Sequence, residues 1–424
     1  MNTLVLGSGG REHAFAWRLS RDPDVSTVIA APGNPGMASV AQCVPVDLTD
    51  PGAILALADR ERIDLTVVGP EAVLERGVAD RFREAGRAIV GPSRQGAALE
   101  CSKVFAKQFM ARAGIPTARF VVCDSADDAL EAVSGERFGF PVVVKADGLA
   151  AGKGVTVAEN RAEAEGAVRA AMIDRQFGAA GATVVIEECL AGPEVSFFVL
   201  CDGEHALPCG TAQDHKRIFD GDRGPNTGGM GAFAPSPLVS DALEASVMSR
   251  IVQPVLDAMR AAGDPYRGFL YVSLMLTPAG PMVIEFNVRF GDPEAQVVLP
   301  RLEGNFAQTL LASATSGIGR ATLGGAADRV VGVVLAAAGY PGQVETGRPI
   351  AGLDGAVTMA DVLVFHAGTR SADGRLVTAG GRVLTVVGRG PTYEAAARRA
   401  YDAVDRITFE GMQYRKDIGS KAHG

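Results

Sequence analysis

Pro141-Val-Val-Val-Lys-Ala-Asp-Gly-Leu-Ala-Ala-Gly-Lys-Gly-Val-Thr-Val-Ala158 reads as a strand (141–145), a glycine-rich loop and a second strand (154–158). The loop invites a P-loop reading and fails it. That motif needs four residues between its first glycine and Gly-Lys, then a Ser or Thr that opens a helix. Here three residues separate Gly148 from Gly152, Gly154 follows Lys153, and the loop joins two strands. It reads as a hairpin lid whose backbone N–H groups can close over phosphates, with an ordinary glycine-rich hairpin as the alternative. Lys145 ends the first strand, where an ammonium is costly unless it meets an anion, either a ligand or a neighbouring carboxylate.

Upstream, Ser102 can cap a helix over 103–112 that Gly114-Ile-Pro116 stops. Downstream, a helix over 162–172 precedes a strand over 183–187 that ends in Glu187-Glu188, with Glu194 beyond. Carboxylates there can accept from an adenine amine or a ribose hydroxyl; a solvated strand end explains them equally well. Gln213-Asp-His-Lys-Arg217 packs both signs of charge and a histidine together, as a site or as a charged turn. It is followed by a Gly/Pro loop over 221–237 that includes Gly224-Pro-Asn-Thr-Gly-Gly-Met-Gly231.

The most informative strand is Met282-Val-Ile-Glu-Phe-Asn-Val-Arg-Phe290. Strand side chains alternate, so Ile284, Phe286, Val288 and Phe290 are expected on one face and Glu285, Asn287 and Arg289 on the other. A carboxylate and an amide oxygen two residues apart suit Mg²⁺, which also keeps waters and substrate phosphates. Arg289 beside them suits a phosphate or carboxylate. Gly291-Asp-Pro-Glu294 follows at once.

The first hundred residues alternate strands and helices, predicting a small doubly wound parallel sheet with ligands at the strand carboxyl ends. Gly7-Ser-Gly-Gly-Arg-Glu12 misses the dinucleotide fingerprint: Glu12 stands where the third glycine belongs, and no acid ends the second strand. A glycine turn feeding a helix N-terminus, suited to one phosphate, remains, with a tight structural turn as the alternative. The turns 32–36 and 69–71 fall on the same edge in this topology. Gly324-Gly325 marks a boundary before a strand-rich last segment closed by a helix over 393–406.

Composition agrees with a globular chain: 47% hydrophobic and 21% charged residues exclude disorder and coiled coil. Glycine, 52 of 424 residues, is in excess and marks turns and backbone brought close to ligands. A net charge of −8 argues against a nucleic-acid-coating surface. Cys43, Cys101, Cys123, Cys189, Cys201 and Cys209 form no CxxC pair, which points to thiols in a reducing cytoplasm. His13, His205 and His366 read as structural or surface residues. No signal-peptide pattern opens the chain and no run reaches the ~20 apolar residues of a membrane span, so a cytoplasmic protein without membrane contact is expected.

Taken together these residues resemble the ATP-grasp superfamily, and more closely the glycinamide ribonucleotide synthetases. GSGGREHA, APGNPG, DLTVVGPE, KADGLAAGKGV, VIEE, QDHKR, GPNTGGMGAF, VIEFNVRFGDPE, GYPG, FHAGT, GGRVL and RKDIG occur in that order almost end to end. Phe15 and Val288, where the family is expected to have Leu and Cys, are apolar exchanges. The resemblance implies an α/β (α+β overall) ATP-grasp fold. Its units would be an N-terminal substrate domain (1–101), an ATP-grasp domain (102–323, lid about 120–194) and a small C-terminal domain (324–424). It implies a ligase of purine biosynthesis that joins glycine to 5-phosphoribosylamine through glycyl phosphate, with ATP as co-substrate and Mg²⁺ or Mn²⁺ as metal. By the same resemblance Lys103, Lys145, Gly152, Lys153 and Gly154 meet the phosphates, while Glu187, Leu190 and Glu194 meet the adenosine. Glu285 and Asn287 hold the metal, and Asp214, Arg289 and Lys145 act at the reacting atoms. Gly9, Gly10, Asn34, Glu71, Lys216 and Asn226, with Asp214 and Arg289, meet the other substrates. The partners expected are small molecules, with room for transient contact with the enzyme that makes phosphoribosylamine.

Overall fold

The structure, a computed structural model of the 424-residue chain, describes all residues except 135–136, 149–153, 316, 320 and 424. Strands β1 (Asn2–Gly7), β2 (Thr27–Pro32), β3 (Gln42–Cys43), β4 (Leu65–Val68) and β5 (Ile89–Val90) form a parallel sheet in the order β3-β2-β1-β4-β5. Leu4 and Leu6 of β1 enter one core and Val5 the other, so both faces are covered, as a parallel sheet requires. The strand order reverses at β1, where Gly7 is level with Pro32 and Leu6 with Val68. The turns after β1, β2 and β4 therefore leave the sheet at one edge, and the first of them feeds the helix Gly10–Leu19.

A separate antiparallel sheet contains β6 (Phe120–Cys123), β7 (Val142–Ala146), β8 (Val155–Ala158) and β9 (Val184–Glu188), ordered β6-β9-β7-β8. Ser102 Oγ accepts the Phe105 amide at 3.0 Å and starts the helix Lys103–Ala113; Gly114, left-handed at φ 66°, ends it. The helix expected over 162–172 is α-helical over Arg161–Val168 and becomes a wider π turn over Arg169–Ile173.

An eight-stranded antiparallel sheet carries the rest. Its strands are β10 (Glu194–Asp202), β11 (Ala206–Asp214), β14 (Gly231–Ala234), β15 (Arg267–Thr277), β16 (Gly280–Asn287), β19 (Arg329–Ala336), β20 (Val362–His366) and β23 (Arg382–Gly390). Their order is β16-β15-β10-β11-β14-β19-β23-β20. Short hairpins pair β12 (Arg217–Phe219) with β13 (Arg223–Asn226) and β21 (Thr369–Ala372) with β22 (Arg375–Thr378), while β17 (Leu302–Glu303) and β18 (Gly324–Gly325) pair antiparallel across the helix Phe306–Ala314. The span 221–237, expected to be loop, thus contains β13 and β14. β14 lies between β11 and β19, which supply its ladder and bury Phe233.

Alternation along 284–290 is also corrected. A β-bulge opposite Ser273/Leu274 breaks the register, so Val283, not Ile284, joins Phe286 and Val288 in the core. β16 ends at Asn287, and Phe290 enters a different core, stacked on Phe198 at 4.4 Å. All six cysteines are free thiols. Among the described residues no helix is long and apolar enough to cross a membrane.

Candidate active site

Across β15, Glu285 stands opposite Ser273 and Asn287 opposite Tyr271, so both side chains share one face. Neither side chain makes a hydrogen bond or ion pair with the described residues. Burial would raise the Glu285 carboxyl, but Lys216, Lys145, Lys103 and Arg289 around it hold it below its ordinary range. An unpaired carboxylate and an unpaired amide oxygen are hard donors that fit a divalent cation sharing its remaining positions with phosphate and water. Among the described residues no group of three or more His, Cys, Asp or Glu could hold a metal.

The lysines come from three elements. Lys145, at the end of β7, lies 2.9 Å from Glu187 Oε1 and donates to the Ile284 carbonyl at 3.3 Å. Lys107 takes the other Glu187 oxygen at 2.8 Å, and burial lowers it to about 8 despite that partner. Glu187, the expected adenosine ligand, therefore sits between two ammoniums and fixes where Lys145 points. Lys103 donates to the Gly148 carbonyl at 3.0 Å, and Asp147 accepts from Ser102 Oγ at 3.0 Å and from the Val104 amide at 3.1 Å. The loop base is thereby tied to a helix N-terminus. Gly152 and Lys153 lie outside the described residues; the Gly154 carbonyl accepts the Ala146 amide at 2.8 Å and closes the hairpin.

Arg289 joins the parallel sheet to this cleft. Its Nε reaches Glu71 at 3.1 Å and its Nη2 reaches Glu100 at 2.6 Å, with the Val288 amide donating to Glu100 at 2.8 Å. Burial would raise Glu71, but Arg289 and Arg11 bring it to about 2. Burial raises Glu100 to about 7, with Arg289 opposing and Glu71 reinforcing.

Asp214 closes β11 with one side-chain oxygen buried and unpartnered. Burial, then Glu294, push it well above the carboxylate range against Lys216 and Arg382. Glu294, 3% exposed, accepts from Tyr271 at 3.0 Å and Ser196 at 3.4 Å. Lys216 pairs with Glu194 at 2.6 Å; burial would lower it, but Glu194, Glu285 and Asp214 raise it. Gly229, at φ +109°, lies over Asp214: a Cβ there would stand 2.9 Å from Asp214 Oδ1 and 2.4 Å from Pro293.

Gly9 and Gly10 lie near Asp292, which Arg382 of β23 pairs at 3.1 Å, and a Cβ on Gly10 would strike Gln296 at 2.4 Å. Asn34 is near, yet its amide is fully engaged: it donates to the Ser8 and His366 carbonyls, both at 2.9 Å, and accepts the Met37 amide at 3.1 Å. Asn226 stands exposed on β13 with no side-chain partner among the described residues, and Leu190 is half-buried after β9. Lys103, Lys145, Lys216 and Arg289 thus gather around Glu285, while Asn226 and Leu190 are not tied in. His13 accepts the His366 amide at 2.8 Å, a structural role. Lys107, Glu100, Glu294 and Arg382 escaped the sequence reading. The signals were a lysine four residues after Lys103 on one helix, the acid closing GDPE and the arginine of GGRVL; Glu100 left none outside the fold.

Family models match along the chain: the phosphoribosylglycinamide synthetase N domain over 1–100, its ATP-grasp (A) domain over 101–295 and its C domain over 330–421. A curated phosphoribosylamine–glycine ligase of Phenylobacterium zucineum is 50% identical over 426 residues, covering 100% of both chains. One of Ralstonia nicotianae is 48% identical over 423 residues, covering 100% of this chain and 99% of the relative. The solved phosphoribosylamine–glycine ligase of Thermotoga maritima superposes with TM-score 0.86 at 35% identity, covering 98% of this chain and 100% of that one. The biotin carboxylase domain of Hydrogenobacter thermophilus 2-oxoglutarate carboxylase shares the fold alone, with TM-score 0.73 at 18% identity, covering 97% and 91%.

Proposed function

Since the chain belongs to the phosphoribosylglycinamide synthetase family, the ATP-dependent ligases that join phosphoribosylamine to glycine in purine biosynthesis, we propose that its cleft makes the new amide through glycyl phosphate. The observation that carries this reading is the unpaired Glu285, on one sheet face with Asn287 and held ionised by Lys216, Lys145, Lys103 and Arg289. One glycine carboxylate oxygen attacks the γ-phosphorus, the bond to the β-phosphate oxygen breaks, and ADP leaves. The ribosylamine nitrogen then attacks the glycyl carbonyl carbon, the acyl C–O bond breaks, and phosphate leaves as the nitrogen gives up a proton.

Lys103 and Lys145 face the phosphates, and Glu187 with Lys107 holds Lys145 in place. Gly152, Lys153 and Gly154 of the lid exclude water, which would hydrolyse the acyl phosphate. Leu190 and Glu194, with Glu187, border the adenosine. Glu285 and Asn287 hold the divalent cation, proposed to be Mg²⁺ or Mn²⁺, which when bound neutralises phosphate charge. Arg289, clamped by Glu71 and Glu100, orients the glycine carboxylate. Burial and the neighbouring Glu294 disfavour the ionised form of Asp214, a cost that glycine's ammonium relieves. Gly9, Gly10, Lys216 and Asn226 take the phosphoribosyl group, with Asn34 shaping the turn through its backbone ties. These roles divide among segments 1–101, 102–323 and 324–424, in a cytoplasmic enzyme whose unstable amine substrate arrives by diffusion or from its producer.

The test is ADP release with glycine and freshly made phosphoribosylamine each omitted in turn, and with hydroxylamine replacing the amine. Glycine-dependent ADP release and glycine hydroxamate are expected. Equal ADP release without glycine would defeat the reading.

A further inference from the structure

At the end of the helix Gly10–Leu19 far from Gly9, a cavity of about 480 Å³ opens between that helix, Leu302 and the β20–β23 ladder. It is lined by Trp17, Arg21, Leu302, Asp361, Leu363 and Arg389, among others. Trp17 is the sole tryptophan of the chain. The Arg21 guanidinium lies 4.7 Å from its ring centroid, and Phe365 meets it edge-on at 6.0 Å.

The charged groups here differ in what they still have to offer. Arg18 is engaged at every branch, with Leu302 O at 3.2 Å, Asp22 at 3.2 Å and Gly304 O at 2.7 Å. Asp361 is matched by Arg399 at 2.9 Å. Arg389 pairs with Asp328 at 2.9 Å through Nη2, but its buried Nε has no partner. Arg21 is exposed and meets no carboxylate among the described residues. The cavity therefore combines an aromatic ring, an unmatched positive charge on Arg21 and a second guanidinium, that of Arg389.

We propose that this cavity is a binding site for a nucleoside monophosphate, with the base against the Trp17 indole and the phosphate between the Arg21 and Arg389 guanidiniums that line it. Its volume falls within the ~300–1,000 Å³ of small-molecule sites. Guanidinium forks suit phosphate. Inorganic phosphate would leave the indole unused, and a neutral ring would leave both arginines unused. Both walls also reach the catalytic cleft. The helix that carries Trp17 begins at Gly9–Gly10, and β23 carries Arg389 here and Arg382 to Asp292. An occupant thus has a direct structural route to turnover.

Trp17 emission, from the chain's one tryptophan, reads the site. The full chain, its catalytic cleft filled with saturating ADP, Mg²⁺ and glycine, is titrated with AMP, ribose 5-phosphate and inorganic phosphate. AMP is expected to change the emission saturably with half-effect below about 1 mM, and the other two to bind about tenfold more weakly or worse. Arg21→Ala, away from the catalytic machinery, should keep basal turnover and weaken AMP by about tenfold. Equilibrium dialysis of labelled AMP on the unmodified chain under the same conditions should find one equivalent. No saturable change, no bound equivalent, a response to phosphate equal to that of AMP, or an unaltered Arg21→Ala titration would each overturn the proposal.

Discussion

Glu285 is ringed by four cations yet pairs with none of the described residues, while Lys145, Lys216 and Arg289 keep Glu187, Glu194, Glu71 and Glu100 as partners. Glu285→Ala should therefore cost no more than about 1 kcal/mol of stability. Turnover should fall roughly a thousandfold, because charge stabilisation worth several kcal/mol goes with the metal ligand. ADP release and an unfolding midpoint, measured on the same preparation, check both halves; near-native turnover would remove the metal assignment. Glu100 carries a different prediction. Its folded value, about 7, lies above its ordinary 4.5, so the folded state holds that proton more tightly. Its contribution to stability is whole below about pH 4.5 and is lost as the pH rises through about 7. Relative to Glu100→Gln, the native chain should lose on the order of 3 kcal/mol over that window. Denaturant midpoints at pH 4.5, 5.5 and 7 measure the gap, and a gap that does not change with pH would refute the account.

The hairpin β12–β13 is held from outside. Arg415, 1% exposed, grips Asp417 with Nε at 2.8 Å and Nη2 at 2.6 Å, and reaches Asp222 at 2.8 Å and the Arg217 carbonyl at 3.0 Å. Asp417 accepts the Gly221 amide at 2.9 Å, and Asp220 accepts the Lys416 amide at 2.8 Å. The hairpin's two ends meet where Thr227 bonds the Lys216 carbonyl, beside Asp214 and Gly229. Arg415→Met should destabilise by about 3 kcal/mol. It should also raise KM for phosphoribosylamine about tenfold, with KM for ATP unchanged. Equal rises in both constants would show a general loss of structure instead. Elements of this kind divide what can be read from sequence. The strands flanking the glycine loop and the Glu285–Asn287 face were legible because neighbours in sequence set the pattern: alternation, a glycine loop, a capping Ser102. β14 was not, because its pairing comes from β11 and β19 and its own residues look like loop. The bulge that expels Ile284 depends on β15, and Glu100 and Arg382 gain meaning only once the fold sets them against Arg289 and Asp292. Motif order supplied the site lysines; packing supplied the acids that aim them.

At the scale of the whole molecule, the proposed boundary near residue 323 separates functions, not folding units. β14, from before it, pairs Gly231–Ala234 with Val330–Val333 of β19, from after it. Phe233 of β14 enters a core with Val333, Val386 and Ala400, and meets Tyr393 edge-on at 5.5 Å. The N-terminal segment is bound in as well, since Asn34 and His13 both bond the backbone of His366. Removing 324–424 would turn β14 into an open edge, with Ala232, Phe233 and Ala234 uncovered, a template for aggregation. A chain ending at residue 323 should therefore fail to give a soluble monomer that binds ADP. The intact chain should unfold in one transition, with the midpoint of backbone circular dichroism matching that of Trp17 emission, because the helix carrying Trp17 packs against β20. A soluble, ADP-binding 1–323 fragment, or two resolved transitions in the intact chain, would mean that the shared ladder contributes little. The last hundred residues would then be an appendage, and Arg382 could not be expected to hold Asp292 in register with Gly9.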